Sequence, residues 1–462
     1  MDEIHRPQLH FTCRAGWLCD VNGPIHHAGE YHLFYEYNPA APTWTYTNMH
    51  WGHAVSTDLL HWREMPPMLA PDHGGPINSG SVAVDRYNTS GLATGSEPVL
   101  VALYTEGRYL LPDNRPAAQS LAYSNDRGRT WTRYAGNPVL GATTHYARDP
   151  KILWHAASGR WIMALILSEH GDERDHTFGL FSSPNLRNWQ LQSTLEMPTA
   201  CDCPDLFALP LDGDPDDLRW VFWGGDGTHA IGAFDGGSFT VLGGLVPPLV
   251  PYDQNGASGF AAKVFGGVPA DDGRAIQIAW LRNGAYPGMP FSQQLTFPCE
   301  LSLRTGAGTG RVAQLCRQPV REIESLYRRR HRWRNATLAP GDDPLAAVAG
   351  ELFDIMVELQ PGTARRVAFT VHGHTVAYDT HARRLFCMDR EVELSTDPGN
   401  GSITLRMLVD RNSIEIFADA GATTLACSFL PHIGKTGLRL TAAGGTARIV
   451  SLNVCELASI HA

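Results

Sequence analysis

The chain has 462 residues, too many for one ordinary core and enough for two domains. Its 43% apolar content, with 46 glycines and 31 prolines, describes a turn-rich globular protein and excludes a disordered one. The formal charge of −10 is spread without long acidic runs, which argues against nucleic acid as a partner and says little about a neutral one.

Near the N-terminus, Gly16-Trp17-Leu18-Cys19-Asp20-Val21-Asn22-Gly23-Pro24 sets one carboxylate between a large aromatic and an Asn-Gly-Pro turn. The strand-like run Tyr31-His32-Leu33-Phe34-Tyr35 follows. Alone, Asp20 reads as an Asx-type turn former. Two further carboxylates stand in comparable text: Asp149 in Tyr146-Ala147-Arg148-Asp149-Pro150, and Asp202 in Cys201-Asp202-Cys203-Pro204. Each precedes a Pro, which suggests short, stiff loop or strand ends that can converge.

From about residue 10 to about 305, short β-rich runs alternate with Gly, Asn, Asp and Pro turns. Pro98 to Tyr104, Trp161 to Leu167, Trp220 to Trp223 and Ala275 to Trp280 are too short for helices and rich in Val, Ile and aromatics. Beneath them lies a repeat of a Ser, an Asp or Asn turn and a closing Trp: Ser56 to Trp62, Ser124 to Trp131, and Ser182 to Trp189. It recurs at roughly 60 to 70 residues, as hairpins of blades around a central axis would, and roughly 300 residues then make about five blades.

Between 306 and 349 the pattern changes. Val320 to Leu326 is compatible with a short helical turn, and Arg328-Arg329-Arg330-His331-Arg332 follows it, read as a solvated face of a connector. From 350 to 462 alternation returns, as in Ile403 to Asp410 and Ser413 to Ala418, and fits a two-sheet sandwich. The expected organisation is therefore a blade-built domain over 1–305, a connector over 306–349 and a β-sandwich over 350–462.

Nine cysteines, scattered from Cys13 to Cys455, do not make a disulfide framework. Cys201-x-Cys203 is too close and too solitary for zinc, and the 20 histidines form no His-x-x-x-His pair, so neither metal nor cofactor is expected. The opening Met1-Asp2-Glu3-Ile4-His5 has no apolar signal core, and no apolar run of about 18 residues occurs. No membrane association is expected, and a cytoplasmic location is, or secretion if a signal was removed.

The three carboxylate stretches resemble, in order, the Trp-x-Asn-Asp-Pro-Asn-Gly, Arg-Asp-Pro and Glu-Cys-Pro signatures of glycoside hydrolase family 32, the invertases, levanases and inulinases. Tyr31 to Pro39, Trp51 to Trp62, Ser79-Gly80-Ser81, Gln119 to Ser124 and Leu408 to Phe417 are also similar to family text, so the resemblance covers nearly the whole chain. It implies an all-β protein, a five-bladed β-propeller followed by a C-terminal β-sandwich, whose substrate is a small or polymeric fructoside. It implies retaining cleavage, with Asp20 as nucleophile forming a covalent fructosyl ester and Asp202 as acid/base. Asp149, with Arg148, would grip the fructose hydroxyls.

Within the matched text, Glu36, Cys19, Asn22 and Ser79 are further substrate-binding candidates. Trp17, Trp44, Trp51 and Trp280 either wall the sugar or fill the core. His53 and His61 read as structural, and His50 stays open. The pocket text adds no Lys or Arg beyond Arg148, which argues against a phosphorylated sugar, although Arg282 and Lys263 keep one open.

Three positions depart from the family pattern where the sugar should sit. Cys19 replaces an Asn and lacks the amide's donor and acceptor pair. Glu36 replaces a Gln, adding a charge that raises a neighbour's pKa or is itself protonated. Asp202 replaces a Glu, so either the backbone of its loop moves inward or the leaving group is held differently. Val21 for Pro is a milder change that loosens the turn. A fructosyltransferase, including one that forms a cyclic difructose, and a catalytically silent sugar-binding propeller are the alternatives to hydrolysis. Linkage, chain-length preference and oligomeric state are not legible in the sequence.

Overall fold

The computed structural model describes residues 3–171, 176–246, 259–282, 284–306, 313–397, 399–431 and 437–461. Among these the chain is all-β. Its helical elements are the short 3-10 turns Arg108–Leu110, Arg321–Leu326 and Asp419–Gly421.

The first half is a succession of antiparallel meanders. The first runs through Gly16–Val21, Glu30–Asn38, His50–Ser56 and Arg63–Leu69; the second through Ile77–Asp85, Val99–Glu106, Ala118–Ser124 and Thr132–Arg133. The third runs through Arg148–His155, Arg160–Ile166, Thr177–Ser183 and Gln190–Glu196. The fourth, Asp205–Leu211 to Phe239–Val246, shares a sheet with Phe260–Val264, Ala275–Leu281, Cys299–Thr305 and Ala313–Pro319 through one parallel pair, Leu211 with Leu303.

The Ser/Asp/Trp repeat is the outer turn of the first three meanders. Leu59 and Leu186 adopt left-handed φ of 67° and 62°, and their carbonyls accept the indole N–H of Trp62 and Trp189 at 2.9 and 3.0 Å. In the second meander the longer turn places Gly128 there, accepting from Trp131 at 3.2 Å. Each turn also closes on a Ser hydroxyl bonded to the following Asp or Asn. The fourth meander turns on Asp235-Gly236-Gly237 instead, which is why the repeat fades there.

The first strands of these units lean on one another in a ring. Asn22 accepts from Gly80 N–H at 3.3 Å, and Ser81 Oγ donates to the Pro150 carbonyl at 2.7 Å. Lys151 pairs with Asp205 at 2.6 Å, and Asp205 accepts from Val264 N–H at 2.6 Å. Gly266 N–H donates to the Pro24 carbonyl at 2.9 Å, which returns to the first unit. Gly23 makes this close approach possible: at φ 63° any Cβ would lie 2.2 Å from Val82 N. Separate apolar clusters fill the wedges between successive units.

The second half packs a six-stranded sheet, Tyr327–Leu338 to Thr423–Ser428, on a five-stranded one around a single core, which makes a sandwich. The two halves also share a core, in which Leu18, Leu33 and Ile278 meet Leu352, Leu408 and Phe417. Within the expected connector, residues 307–312 lie outside the described residues, 339–349 form turns without strand or helix, and two of the remaining stretches are strands. Ala313–Pro319 pairs with Cys299–Thr305, and Tyr327–Leu338 is the sandwich's edge strand, paired with Ala447–Leu457. Its basic run is a strand face turned to solvent, a composition that in sequence looks like a linker.

Candidate functional site

The first strands do not run straight into the ring. Register breaks fall between Leu18 and Val21, between Asn78 and Gly80, and between Arg148 and Lys151. These irregularities bracket Asp20, Ser79 and Asp149. A bulge re-aims a side chain that a regular pleat would point elsewhere, so the same local device turns three separate residues toward one place. Asp149 shows it most clearly, with φ 64° ahead of Pro150 and its N–H given to Thr105 Oγ1 at 2.9 Å.

The polar groups form one connected network. Ser79 Oγ lies 3.1 Å from Asp20 Oδ2 and 2.9 Å from Glu36 Oε1. Cys19 Sγ donates to Glu36 Oε2 at 3.4 Å. Cys203 joins the other side: its N–H donates to Asp149 Oδ2 at 3.0 Å, and its thiol lies 3.4 Å from Asp20 Oδ2 and 3.6 Å from Asp149 Oδ2. Arg148 places Nε 2.8 Å from Asp202 Oδ1, adds an Nη2 contact to the same oxygen, and lies 3.8 Å from Asp149.

The crowding of carboxylates tells on three of them, Asp20, Glu36 and Asp149. Burial, then the charges of Asp149 and Asp202, raise Asp20 to about 6. Burial and Asp20 push Glu36 well above the usual carboxylate range. Asp149 is also raised, by burial first, with Arg148 opposing. Burial lifts the thiols of Cys19 and Cys203 well above their ordinary range, so both remain hydrogen-bond donors.

The Asp202 loop is held in an uncommon shape. Asp202 and Cys203 both adopt left-handed φ, 48° and 37°, and Gly225 N–H braces the carbonyls of Cys201 and Asp202. Left-handed non-glycine residues cost roughly 1–2 kcal/mol each, so the surrounding contacts must hold this turn in place.

The expected residues are thus brought together in part. Asp20, Glu36, Ser79, Asp149, Arg148, Asp202 and Cys19 share the network. Asn22 is fully buried and its Oδ1 accepts from Gly80 N–H, tying the first unit to the second, while its Nδ2 has no hydrogen-bond partner among the described residues. Trp51 is 0% exposed, packed with Phe34 and Tyr104 and bonded to the Asn78 carbonyl at 3.0 Å; it belongs to the core. Trp44 is 43% exposed and meets Tyr46 edge-on at 3.9 Å, without a contact to the carboxylates among the described residues. Trp280 lies edge-on to Trp17 at 6.3 Å, beneath the Arg282 guanidinium at 4.8 Å.

Sequence reasoning missed Cys203, weighed there only as a metal ligand. It also missed the buried supports Thr105 and the Lys151–Asp205 pair. Pro204 next to Cys203 was the available signal: its carbonyl accepts from Lys263 Nζ at 2.6 Å, anchoring the loop.

Comparison with known proteins gives concordant findings. The model for the glycosyl hydrolases family 32 N-terminal domain matches residues 10–319, and that for the family's C-terminal part matches 322–456. A levanase from Bacillus subtilis (strain 168) is 36% identical, covering 99% of this chain and 71% of the relative. An extracellular exo-inulinase from Aspergillus awamori is 30% identical, covering 99% and 95%. The crystal structure of exo-inulinase from Aspergillus awamori superposes with a TM-score of 0.84 at 28% identity, covering 99% of each chain. The fructose complex of a Schwanniomyces occidentalis fructofuranosidase reaches the same TM-score, 0.84, at 24% identity over 99% of each chain, a likeness of fold.

Proposed function

The chain belongs to glycoside hydrolase family 32, and on that premise we propose how its carboxylates divide the work of cleaving a β-fructofuranoside. The protein is a glycosidase that hydrolyses β-fructofuranosides. Asp20 is the nucleophile, attacking the anomeric carbon to form a fructosyl ester that water then opens. It is suited to this above its raised pKa of about 6, where it is ionised yet poorly solvated.

Asp202 is the acid/base. Both Arg148 contacts fall on Oδ1, which leaves Oδ2 for the leaving oxygen. The left-handed turn at Asp202 and Cys203 supports the reading that backbone, rather than a longer side chain, carries this carboxyl to its place. Asp149 and Arg148 grip the fructose hydroxyls, where charge-assisted hydrogen bonds tighten as the ring flattens. The observation that carries the reading is Cys203, whose amide and thiol tie Asp149 to Asp20 beside Asp202.

We read the first half as a five-bladed propeller; the ring of first-strand contacts and the wedge-filling clusters support it. Its domain runs to Pro319, where the last paired strand ends. The word extracellular in the exo-inulinase relatives' names supports an extracellular site of action rather than the cytoplasmic one.

The test is incubation of the purified protein with sucrose, an inulin-type oligosaccharide and levan, with Asp20→Asn as control and products resolved by chromatography. Free fructose from the wild type and none from the control is expected. Fructose release undiminished in Asp20→Asn would overturn the assignment of the nucleophile.

A further inference from the structure

Ser79 has one hydroxyl hydrogen and two carboxyl oxygens to serve. Its Oγ lies 2.9 Å from Glu36 Oε1 and 3.1 Å from Asp20 Oδ2, and the side chain is buried. Ionised carboxylates are acceptors only, so with both charged one of these contacts would set two oxygens together with no hydrogen between them. The geometry is satisfied when one carboxyl is protonated and donates to Ser79 while Ser79 donates to the other.

The surroundings decide which one carries the proton. Facing Glu36 are Cys19 and Asp20 from strand Gly16–Val21, Ser79 from Ile77–Asp85, and Asp149 from Arg148–His155. Trp51 lies opposite Glu36 across the ladder. The charges that face Glu36, on Asp20 and Asp149, are negative, and no ion pair to Glu36 occurs among the described residues. Asp20 has more to hold its charge: the Cys203 thiol, nearer to it at 3.4 Å than to Asp149 at 3.6 Å, which already has the Cys203 N–H, and the positive field of Arg282.

We propose that Glu36 is a positioning residue that stays protonated in the working enzyme, donating to Ser79 so that Ser79 gives its hydrogen to Asp20. The proposal rests on the reading of Asp20 as nucleophile. Burial and Asp20 push Glu36 in the same direction, independently of the hydrogen count. A neutral carboxyl presents a donor on one side and an acceptor on the other, as an amide does, so the acid at position 36 works as a neutral group and the Cys19 thiol donates to its acceptor oxygen.

Three variants and a spectrum test this. Glu36→Ala removes the donor to Ser79 and is expected to lower kcat/KM about 100-fold through a misplaced nucleophile. Glu36→Gln, also neutral, is expected to restore kcat/KM to within about tenfold and to leave the acid limb of its pH profile where the wild type has it. If Glu36 is ionised in the working enzyme, Glu36→Gln removes a negative charge beside Asp20 and the acid limb moves to lower pH, which overturns the proposal.

Infrared difference spectra of the wild type against Glu36→Gln at pH 7, with carbon-13 labelled glutamate, need no turnover. A neutral acid carbonyl band specific to Glu36 is expected, and carboxylate bands alone would overturn the proposal. Asp20→Asn separates the two readings: activity surviving in it sinks the nucleophile assignment, whereas the infrared band reports on Glu36 alone.

Discussion

The thiol of Cys203 points at the carboxyl of Asp20, Sγ 3.4 Å from Oδ2. This contact favours the ionised form of Asp20 against burial and the neighbouring charges, which hold it at about 6. Cys203→Ala removes a hydrogen bond from the charged state only, so the pKa of Asp20 rises and the acid limb of kcat/KM moves to higher pH. At pH 5 the loss is expected to be roughly tenfold, a hydrogen bond of about 1.4 kcal/mol, with less effect at pH 7.5. Cys203→Ser, which keeps a donor, is expected to lie between the two. An acid limb unchanged in Cys203→Ala would show that the contact does not tune Asp20.

Why Cys203 was not legible in advance, although the carboxylates around it were, follows from what local sequence encodes. Asp20, Asp149 and Asp202 announce themselves because each needs a rigid local setting of Pro, Gly or Arg that short motifs record. The Ser/Asp/Trp turns were legible for the same reason, since every bond in them lies within a few residues. Cys203 acts on groups 54 and 183 positions away, and only the ring of first strands brings them to it. Trp51 failed in the opposite sense: an aromatic in family text reads equally as a wall or a core residue, and only its zero exposure separates them. The junction was obscured because the basic face of an edge strand has a linker's composition.

Asp202 invites an obvious repair, and the geometry argues against it. Asp202→Glu restores the residue type of the family motif, but the turn here sets Asp202 and Cys203 at φ 48° and 37° and fixes the carboxyl on Arg148. On the proposed reading that the backbone carries this carboxyl to its place, an extra methylene overshoots by about 1 Å, so kcat is expected to fall about 100-fold rather than rise. Initial rates on sucrose and levan decide it. An increase in kcat would mean that the loop does not compensate for the shorter side chain.

The nucleophile is also a source of instability. The pKa of Asp20 is raised from 3.8 to about 6 by burial first and by Asp149 and Asp202 next, so the folded state holds a proton that the unfolded chain releases more readily. The cost is absent below about pH 4, where both states are protonated, and is complete above about pH 6. Asp20→Asn is therefore expected to be more stable than the wild type by about 1–3 kcal/mol at pH 7.5, with the difference vanishing near pH 4. Urea denaturation of both proteins at the two pH values measures it, and equal stability at pH 7.5 would mean that the site relieves the charge in some other way.

A second buried charge cluster works in the opposite sense, and it holds the two halves together. His10 places Nδ1 2.7 Å from Asp410 Oδ2 and Nε2 2.8 Å from Glu415 Oε1, so both ring nitrogens donate and the imidazole is protonated. Burial alone would push His10 down, but the bonds to Asp410 and Glu415 outweigh it and raise it to about 9. The carboxylates also accept from the N–H groups of Gln8, Leu9 and Phe297, so this clamp joins the N-terminal segment, the end of the first half and the sandwich. A folded pKa above the unfolded value means that the stabilisation is complete below about pH 6.5 and is lost as pH rises through about 9. Thermal unfolding of the wild type is expected to move to lower temperature between pH 7 and 10. His10→Gln takes the imidazolium partner from two buried carboxylates, so it is expected to lose about 3–5 kcal/mol at pH 6.5 and to lose its share of that alkaline slope. A wild-type Tm that holds constant across this range would show that the clamp does not couple proton binding to folding.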